Sequence, residues 1–241
     1  MKVLQVIFIT IAAFTGCSKS ATTQMNKNMI TDSTKTGATI YNYLALGDSY
    51  TIGQSVTQAQ SYPYQLVNTL NLASLATNNP TIIATTGWTT QNLIDAISQS
   101  GINGKTYDFV TLLIGVNDQY QGISQATYTA NFTTLLNEAI TFAKGDTSRV
   151  FVISIPDYGV TPFAMGRDSV IGPEIDQFNA INLAISTKAN VHYLNITPIS
   201  REAATDTSLI ADDGLHPSAK MYKLWVEQLA PMVEARLKRT N

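Results

Sequence analysis

Cysteine and histidine are almost missing from this sequence of 241 residues: Cys17 is the lone cysteine, and His192 and His216 are the two histidines. A disulfide needs two cysteines and a structural zinc site about four Cys or His ligands, so neither can form within the chain. No HExxH spacing joins the histidines, which argues against a catalytic zinc as well. Charge is also scarce: Asp, Glu, Lys and Arg make up 13% of residues, against about 25% in an average domain. Thr, Ser, Asn and Gln fill the polar positions instead, which favours an extracytoplasmic protein. Fifteen cationic side chains oppose 17 anionic ones, a net charge of −2 with no basic block. Binding to a phosphate backbone needs clustered Lys or Arg, so nucleic acid is not an expected partner.

Long apolar runs are missing too. The longest, Val3 to Phe14, is interrupted by Gln5 and Thr10 and as a helix would span only ~18 Å, short of the ~30 Å hydrocarbon core. With Lys2 before it, this segment has the layout of an export signal. Phe14-Thr15-Gly16-Cys17 resembles the bacterial lipobox, in which the cysteine is acylated and becomes the first residue, with Phe standing where Leu is usual. Acylation at Cys17 would anchor the protein without spanning the membrane. Residues 18–39 are rich in Ser, Thr, Asn, Lys and Gly with isolated Met25, Met29 and Ile30, too little apolar surface to offset ordering entropy. The expected organisation is a signal peptide over 1–16, a lipidated Cys17 with a flexible tether to 39, and one folded domain over 40–241.

That domain can bury a proper core, since 44% of residues are hydrophobic and a chain of this size removes roughly 70% of its unfolded surface from water. Tyr43–Gly47, Thr81–Thr85, Phe109–Gly115, Val150–Ile155 and Val191–Ile196 are short runs rich in Val, Ile and Leu, the signature of strands covered on both faces. Helical patterns lie between and after them: Pro63–Leu72, Asn92–Ser98, Ser124–Lys144, Pro173–Lys188 and Pro217–Arg239. This alternation predicts an α/β fold, a parallel five-stranded sheet with helices on both faces. Ser61 is the expected cap before Pro63, the last helix is expected to start at Pro217, and Pro231 should kink or divide it.

In such a sheet, ligands bind beyond the carboxyl ends of the strands. Gly47-Asp48-Ser49 follows the first strand, Gly87 the second, Gly115-Val116-Asn117-Asp118 the third, and Asp213-Gly214-Leu215-His216 precedes the last helix. A serine hydroxyl attacks a carbonyl only with a base in reach and a third group fixing that base's tautomer. His216, with Asp213 three residues before it, supplies both for Ser49. Asp212 is a rival for the aspartate, but the Asp-x-x-His spacing selects Asp213. Donors for the developing oxyanion are the Ser49 N–H, the Gly87 N–H and the Asn117 carboxamide. Asp48 and Asp118 are expected to hold loops, and His192, within a strand pattern, to be structural. Trp88 and Tyr120 are candidate substrate contacts. Tyr158, Phe163 and Met165 in the 157–172 segment are candidate walls for an acyl chain or a sugar.

From Tyr43 to Met232 these blocks resemble the SGNH, or GDSL, esterase and lipase hydrolases. The first is Gly47-Asp48-Ser49-Tyr50, with Tyr where Leu or Ile is usual; the second is reduced to Gly87; the third and fourth are Gly115-Val116-Asn117-Asp118 and Asp213-Gly214-Leu215-His216-Pro217. The resemblance implies a three-layer flavodoxin-like fold, Ser49 as nucleophile, His216 as base, Asp213 as its orienting acid, and Ser49, Gly87 and Asn117 as the oxyanion hole, with no metal or organic cofactor. Two other motifs fail. Gly104-Lys105-Thr106 has Gln99 where a phosphate loop needs glycine, and Thr51 replaces the second glycine of a Gly-x-Ser-x-Gly elbow. The expected activity is hydrolysis of carboxylic esters with small to medium acyl chains through an acyl-enzyme. Carbohydrate O-deacetylation is the alternative within the fold, and a non-catalytic surface lipoprotein binding glycans or protein is the alternative outside catalysis. The expected partners are therefore a small-molecule ester or acylated carbohydrate, and a membrane reached through the N-terminal lipid.

Overall fold

The computed structural model of the chain describes residues 39–240; the signal segment, Cys17 and the tether lie outside them. The elements in chain order are β1 (Tyr43–Gly47), α1 (Ser49–Ile52), α2 (Tyr62–Leu72), β2 (Thr81–Ala84), α3 (Thr90–Gln99), β3 (Phe109–Leu113), α4 (Val116–Tyr120), α5 (Gln125–Phe142), β4 (Val150–Ile153), α6 (Asp168–Ala189), β5 (His192–Leu194), α7 (Thr197–Arg201) and α8 (Ala219–Leu237). The strands form one parallel sheet in the order β2-β1-β3-β4-β5. Every residue of β1, β3 and β4 is buried, as strands covered on both faces must be. The chain moves one way from β1 to β2 and the other way from β2 through β5. Right-handed crossovers then place α2 on one face and α3, α5 and α6 on the other. α8 packs against α2, while α3, α5 and α6 pack in series.

Aromatic side chains join helix to sheet. Tyr62 of α2 meets Tyr222 and Trp225 of α8 at ring separations of 6.3 and 6.4 Å. Its hydroxyl lies 3.1 Å from Thr111 Oγ1 in β3, which also bonds the Tyr43 hydroxyl at 2.7 Å. Two buried phenols thus share one threonine, leaving none of the three hydroxyls without a partner.

The helix ends depart from expectation in informative ways. Ser61 stands at the N-cap of α2, but its hydroxyl donates to the Gln58 carbonyl instead of capping. α6 begins at Asp168, five residues before Pro173, and α8 begins at Ala219 with Ser218 as its cap, not at Pro217. Pro217 instead forms a bridge with Ile210. α8 is assigned as one helix through Pro231. Both internal prolines lie on exposed faces, where water can satisfy the carbonyl that each deprives of a donor.

α2 offers an internal test of core against surface. Leu66 is fully buried and Leu72 is 81% exposed. Leu66→Ala is expected to lower unfolding stability by about 2–5 kcal/mol, and Leu72→Ala to change it by less than ~0.5 kcal/mol, both read from urea midpoints.

Candidate active site

The reversal of strand order lies between β1 and β3, whose following loops therefore diverge and open a crevice. Ser49 is the first residue of α1, directly beyond β1. Gly47 before it has no room for a side chain: a Cβ there would meet Thr51 Oγ1 at 2.1 Å and the Leu113 carbonyl at 2.4 Å. The missing side chain thus lets the end of β1 lie tightly between β3 and the first turn of α1. Asp48 caps α1, its Oδ1 accepting from the Tyr50 N–H at 3.0 Å.

His216, on the loop before α8, brings Nε2 to 2.9 Å from Ser49 Oγ. Its Nδ1 is 2.6 Å from Asp213 Oδ2. Asp213 Oδ1 accepts the backbone N–H groups of Leu215 and His216, both at 2.9 Å. The Tyr50 ring covers the imidazole at a centroid separation of 5.3 Å. Burial of Asp213 works to raise its pKa, but hydrogen bonds from Ser55, His216 and the two backbone N–H groups outweigh it and hold the carboxyl well below its usual range. Asp213 therefore stays ionised into acid. The serine picked out after β1 and the aspartate and histidine of the segment before α8 meet in one hydrogen-bonded chain. Asp212 is exposed beside it.

Gly87 adopts φ +83° in the turn after β2, a conformation that disfavours any side chain, and a Cβ there would project into open space. The turn is tied down from two sides. Asn117 Nδ2 donates to the Trp88 carbonyl at 2.9 Å, and Gln121 Nε2 to the Gly87 carbonyl at 3.2 Å. One Asn117 N–H is spent on this tie, and its second remains for a ligand. Asp118, fully buried, accepts from the backbone N–H and hydroxyl of Thr90 at 2.8 and 2.5 Å, fixing α4 to α3. Both acidic neighbours of the site thus hold loops. His192, remote in β5, stacks on Phe151 and accepts from Arg236 Nε at 2.9 Å, a structural role.

These groups open into a cavity of about 130 Å³. Its lining combines the polar Ser49, Gly87, Asn117 and His216 with the apolar and aromatic Val116, Tyr120, Tyr158, Phe163 and Leu215. The rings of Tyr120, Tyr158 and Phe163 lie 6.0–6.3 Å from one another. Gln119 holds Tyr158 in place, accepting from its hydroxyl at 2.9 Å and donating to Glu174 at 2.6 Å. Trp88 is not in the lining: it packs against the core, and its carbonyl, not its ring, serves the site. Met165 is also outside the lining, 82% exposed. Among the described residues no group of three or more His, Cys, Asp or Glu side chains could hold a metal ion.

The model of the GDSL-like lipase/acylhydrolase family matches residues 45–224, most of the chain. The chain belongs to that family. As a GDSL-family hydrolase it shares its fold with several solved structures. TesA superposes with a TM-score of 0.65 at 15% identity, covering 81% of this chain and 99% of that one. The acetylxylan esterase Axe2 from Geobacillus stearothermophilus gives 0.62 at 18%, covering 82% and 94%. The psychrotrophic esterase EstA from Pseudoalteromonas sp., in a structure inhibited by monoethylphosphonate, gives 0.60 at 19%, covering 82% and 99%. No curated protein matches the sequence.

Two contacts of this GDSL hydrolase site are not legible in the sequence. Ser55 Oγ donates to Asp213 Oδ2 at 2.6 Å, and Thr86 Oγ1 to Gln54 Oε1 at 2.7 Å. Ser and Gln are ordinary loop residues, and no spacing marks them.

Asp48 Oδ2 is buried with no hydrogen-bond partner. Burial, opposed by the Tyr50 N–H and reinforced by the nearby Asp118 charge, pushes the carboxyl from 3.8 up to about 8. Between those values the folded protein holds a proton that the unfolded chain has released, so stability falls as pH rises through this window. Asp48→Asn should flatten that slope, measured as the urea midpoint at pH 5 and at pH 8; equal slopes in the two proteins would refute the protonated carboxyl.

Proposed function

We propose that this GDSL-family hydrolase is a serine esterase that cleaves carboxylic esters of small to medium acyl chains through an acyl-enzyme. One observation carries this: the continuous chain from Ser49 Oγ to His216 Nε2 at 2.9 Å and from His216 Nδ1 to Asp213 Oδ2 at 2.6 Å, opening on an apolar cavity. His216 takes the Ser49 proton as Oγ attacks the ester carbonyl. Asp213 fixes the tautomer that leaves Nε2 free to accept and stabilises the imidazolium that forms. The Ser49 N–H, the Gly87 N–H and the second Asn117 N–H receive the negative oxygen, each such donor being worth about 3–4 kcal/mol in the transition state. The imidazolium then protonates the leaving alcohol, and water attacks the acyl-enzyme with His216 again as base.

Cavity size supports a preference for short acyl chains. About 130 Å³ compares with the ~150 Å³ that encloses a benzene-sized guest, so a butyryl chain fits and an octanoyl chain must run out over the rim. A second reading, deacetylation of carbohydrate esters, is favoured by one feature: Tyr120 and Phe163 at the rim are 54% and 38% exposed, offering ring faces on which a sugar can stack while an acetyl group enters. The test is hydrolysis of p-nitrophenyl acetate, butyrate and octanoate by residues 18–241, beside Ser49→Ala. Turnover on acetate and butyrate exceeding that on octanoate, and lost by at least ~10³-fold in Ser49→Ala, is the expected outcome. Full turnover in Ser49→Ala would sink the nucleophile. Inactivity on all three esters with cleavage of acetylated xylooligosaccharides would establish the second reading, and inactivity on both sets would leave a binding protein.

We also propose that the enzyme is exported and held at a membrane by acyl chains on Cys17, on the support of Lys2, the short apolar run and the Gly16-Cys17 pair. Expressed as the full chain in a bacterium, the protein should sediment with membranes, and Cys17→Ala should move it to the soluble or secreted fraction. An unchanged distribution would rule out the lipid.

A further inference from the structure

The turn that follows the nucleophile helix reaches two of the other loops of the site. Its backbone hangs from the nucleophile, since the Ser49 carbonyl accepts the N–H groups of Gly53 and Gln54 at 3.2 and 3.0 Å. Gly53 and Ser55 both adopt left-handed backbone, at φ +77° and +68°. This double reversal sends consecutive side chains to opposite sides of the crevice. Gln54 takes the Thr86 hydroxyl beside Gly87, and Ser55 donates to Asp213 Oδ2.

Left-handed backbone is natural at Gly53 and unfavourable at Ser55, where a Cβ is present. Four other described non-glycine residues share positive φ, Ser74 among them, so the backbone alone assigns no role, and what distinguishes Ser55 is the partner of its side chain. Here the hydroxyl bonds the same carboxylate oxygen that holds His216 Nδ1. Oδ1 of Asp213 is fixed by two backbone N–H groups. Oδ2 has only Ser55 and His216, and the side chain is 30% exposed. Without the hydroxyl, water competes for that lone pair and the carboxylate can rotate away from the imidazole.

We propose that Ser55 is a positioning residue: its hydroxyl holds Asp213 in the plane of His216 and ties the base loop to the nucleophile helix, so that Ser49, His216 and Asp213 keep their register. This presupposes the Ser49–His216–Asp213 assignment above, and it adds a side chain that touches none of the reacting atoms.

The left-handed backbone makes the test sharp, because glycine removes the hydroxyl and the strain together. Ser55→Gly and Ser55→Ala are compared with wild type and Ser49→Ala on p-nitrophenyl butyrate, with Tm measured for each. In Ser55→Gly the relieved strain offsets the lost hydrogen bond, so its Tm should stay within about 2–4 °C of wild type, yet kcat should fall about tenfold with KM unchanged. Ser55→Ala, which loses the hydrogen bond and keeps the strain, should show the same kcat loss with a Tm below that of Ser55→Gly. A kcat within twofold of wild type in Ser55→Gly overturns the role, as does a loss confined to Ser55→Ala that follows its Tm. Turnover surviving in Ser49→Ala would instead show that the triad assignment itself fails.

Discussion

Because right-handed crossovers oblige the chain to change face when it changes direction across a parallel sheet, the reversal between β1 and β3 parts the loops that leave those strands. The candidate catalytic groups among the described residues gather around that gap. Ser49 stands at the end of β1 and Asn117 beyond β3. The Gly87 turn comes from β2 on one side and the His216 loop from beyond β5 on the other. The sheet supplies a fixed floor, buried on both faces, so that four loops distant in sequence meet with hydrogen-bond precision.

The loops are then locked to one another rather than to the sheet alone. Asp118 binds α4 to α3 through Thr90, Asn117 and Gln121 hold the Gly87 turn by its carbonyls, and the turn after α1 reaches both Thr86 and Asp213. Oxyanion stabilisation works because donors are set before charge develops and need no reorganisation when it does. A turn clamped at two successive carbonyls meets that requirement better than a free loop. The unpartnered Asp48 oxygen fits the same frame: the carboxyl that caps α1 is buried, and burial raises its pKa to about 8, so near neutral pH the protonated form is favoured.

The fold class was legible because it rests on local patterns. Five apolar runs separated by helical periodicity leave few arrangements for a parallel sheet, and all five runs became strands, each as long as or shorter than its apolar run. The helix ends were less legible. Pro173, Pro217 and Pro231 mark helix starts or breaks when judged by propensity, yet two of them lie inside helices, since an exposed carbonyl that loses its donor still has water. Ser61 shows the same limit, its hydroxyl having found a nearer carbonyl at Gln58.

The sequence by itself determined the chemical types and their order: Ser49 after a strand, a glycine, an asparagine, and an aspartate three residues before a histidine. The last pair was readable because three residues on a tight loop bring Oδ2 to Nδ1 by local geometry. Tertiary structure alone decided the remainder. It packed the half-buried Trp88 against the core, gathered Tyr120, Tyr158 and Phe163 into one wall, and brought Ser55 to Asp213 across 158 residues. Such contacts depend on how separately formed loops are carried together over the strand ends, and residue type and spacing carry no trace of them.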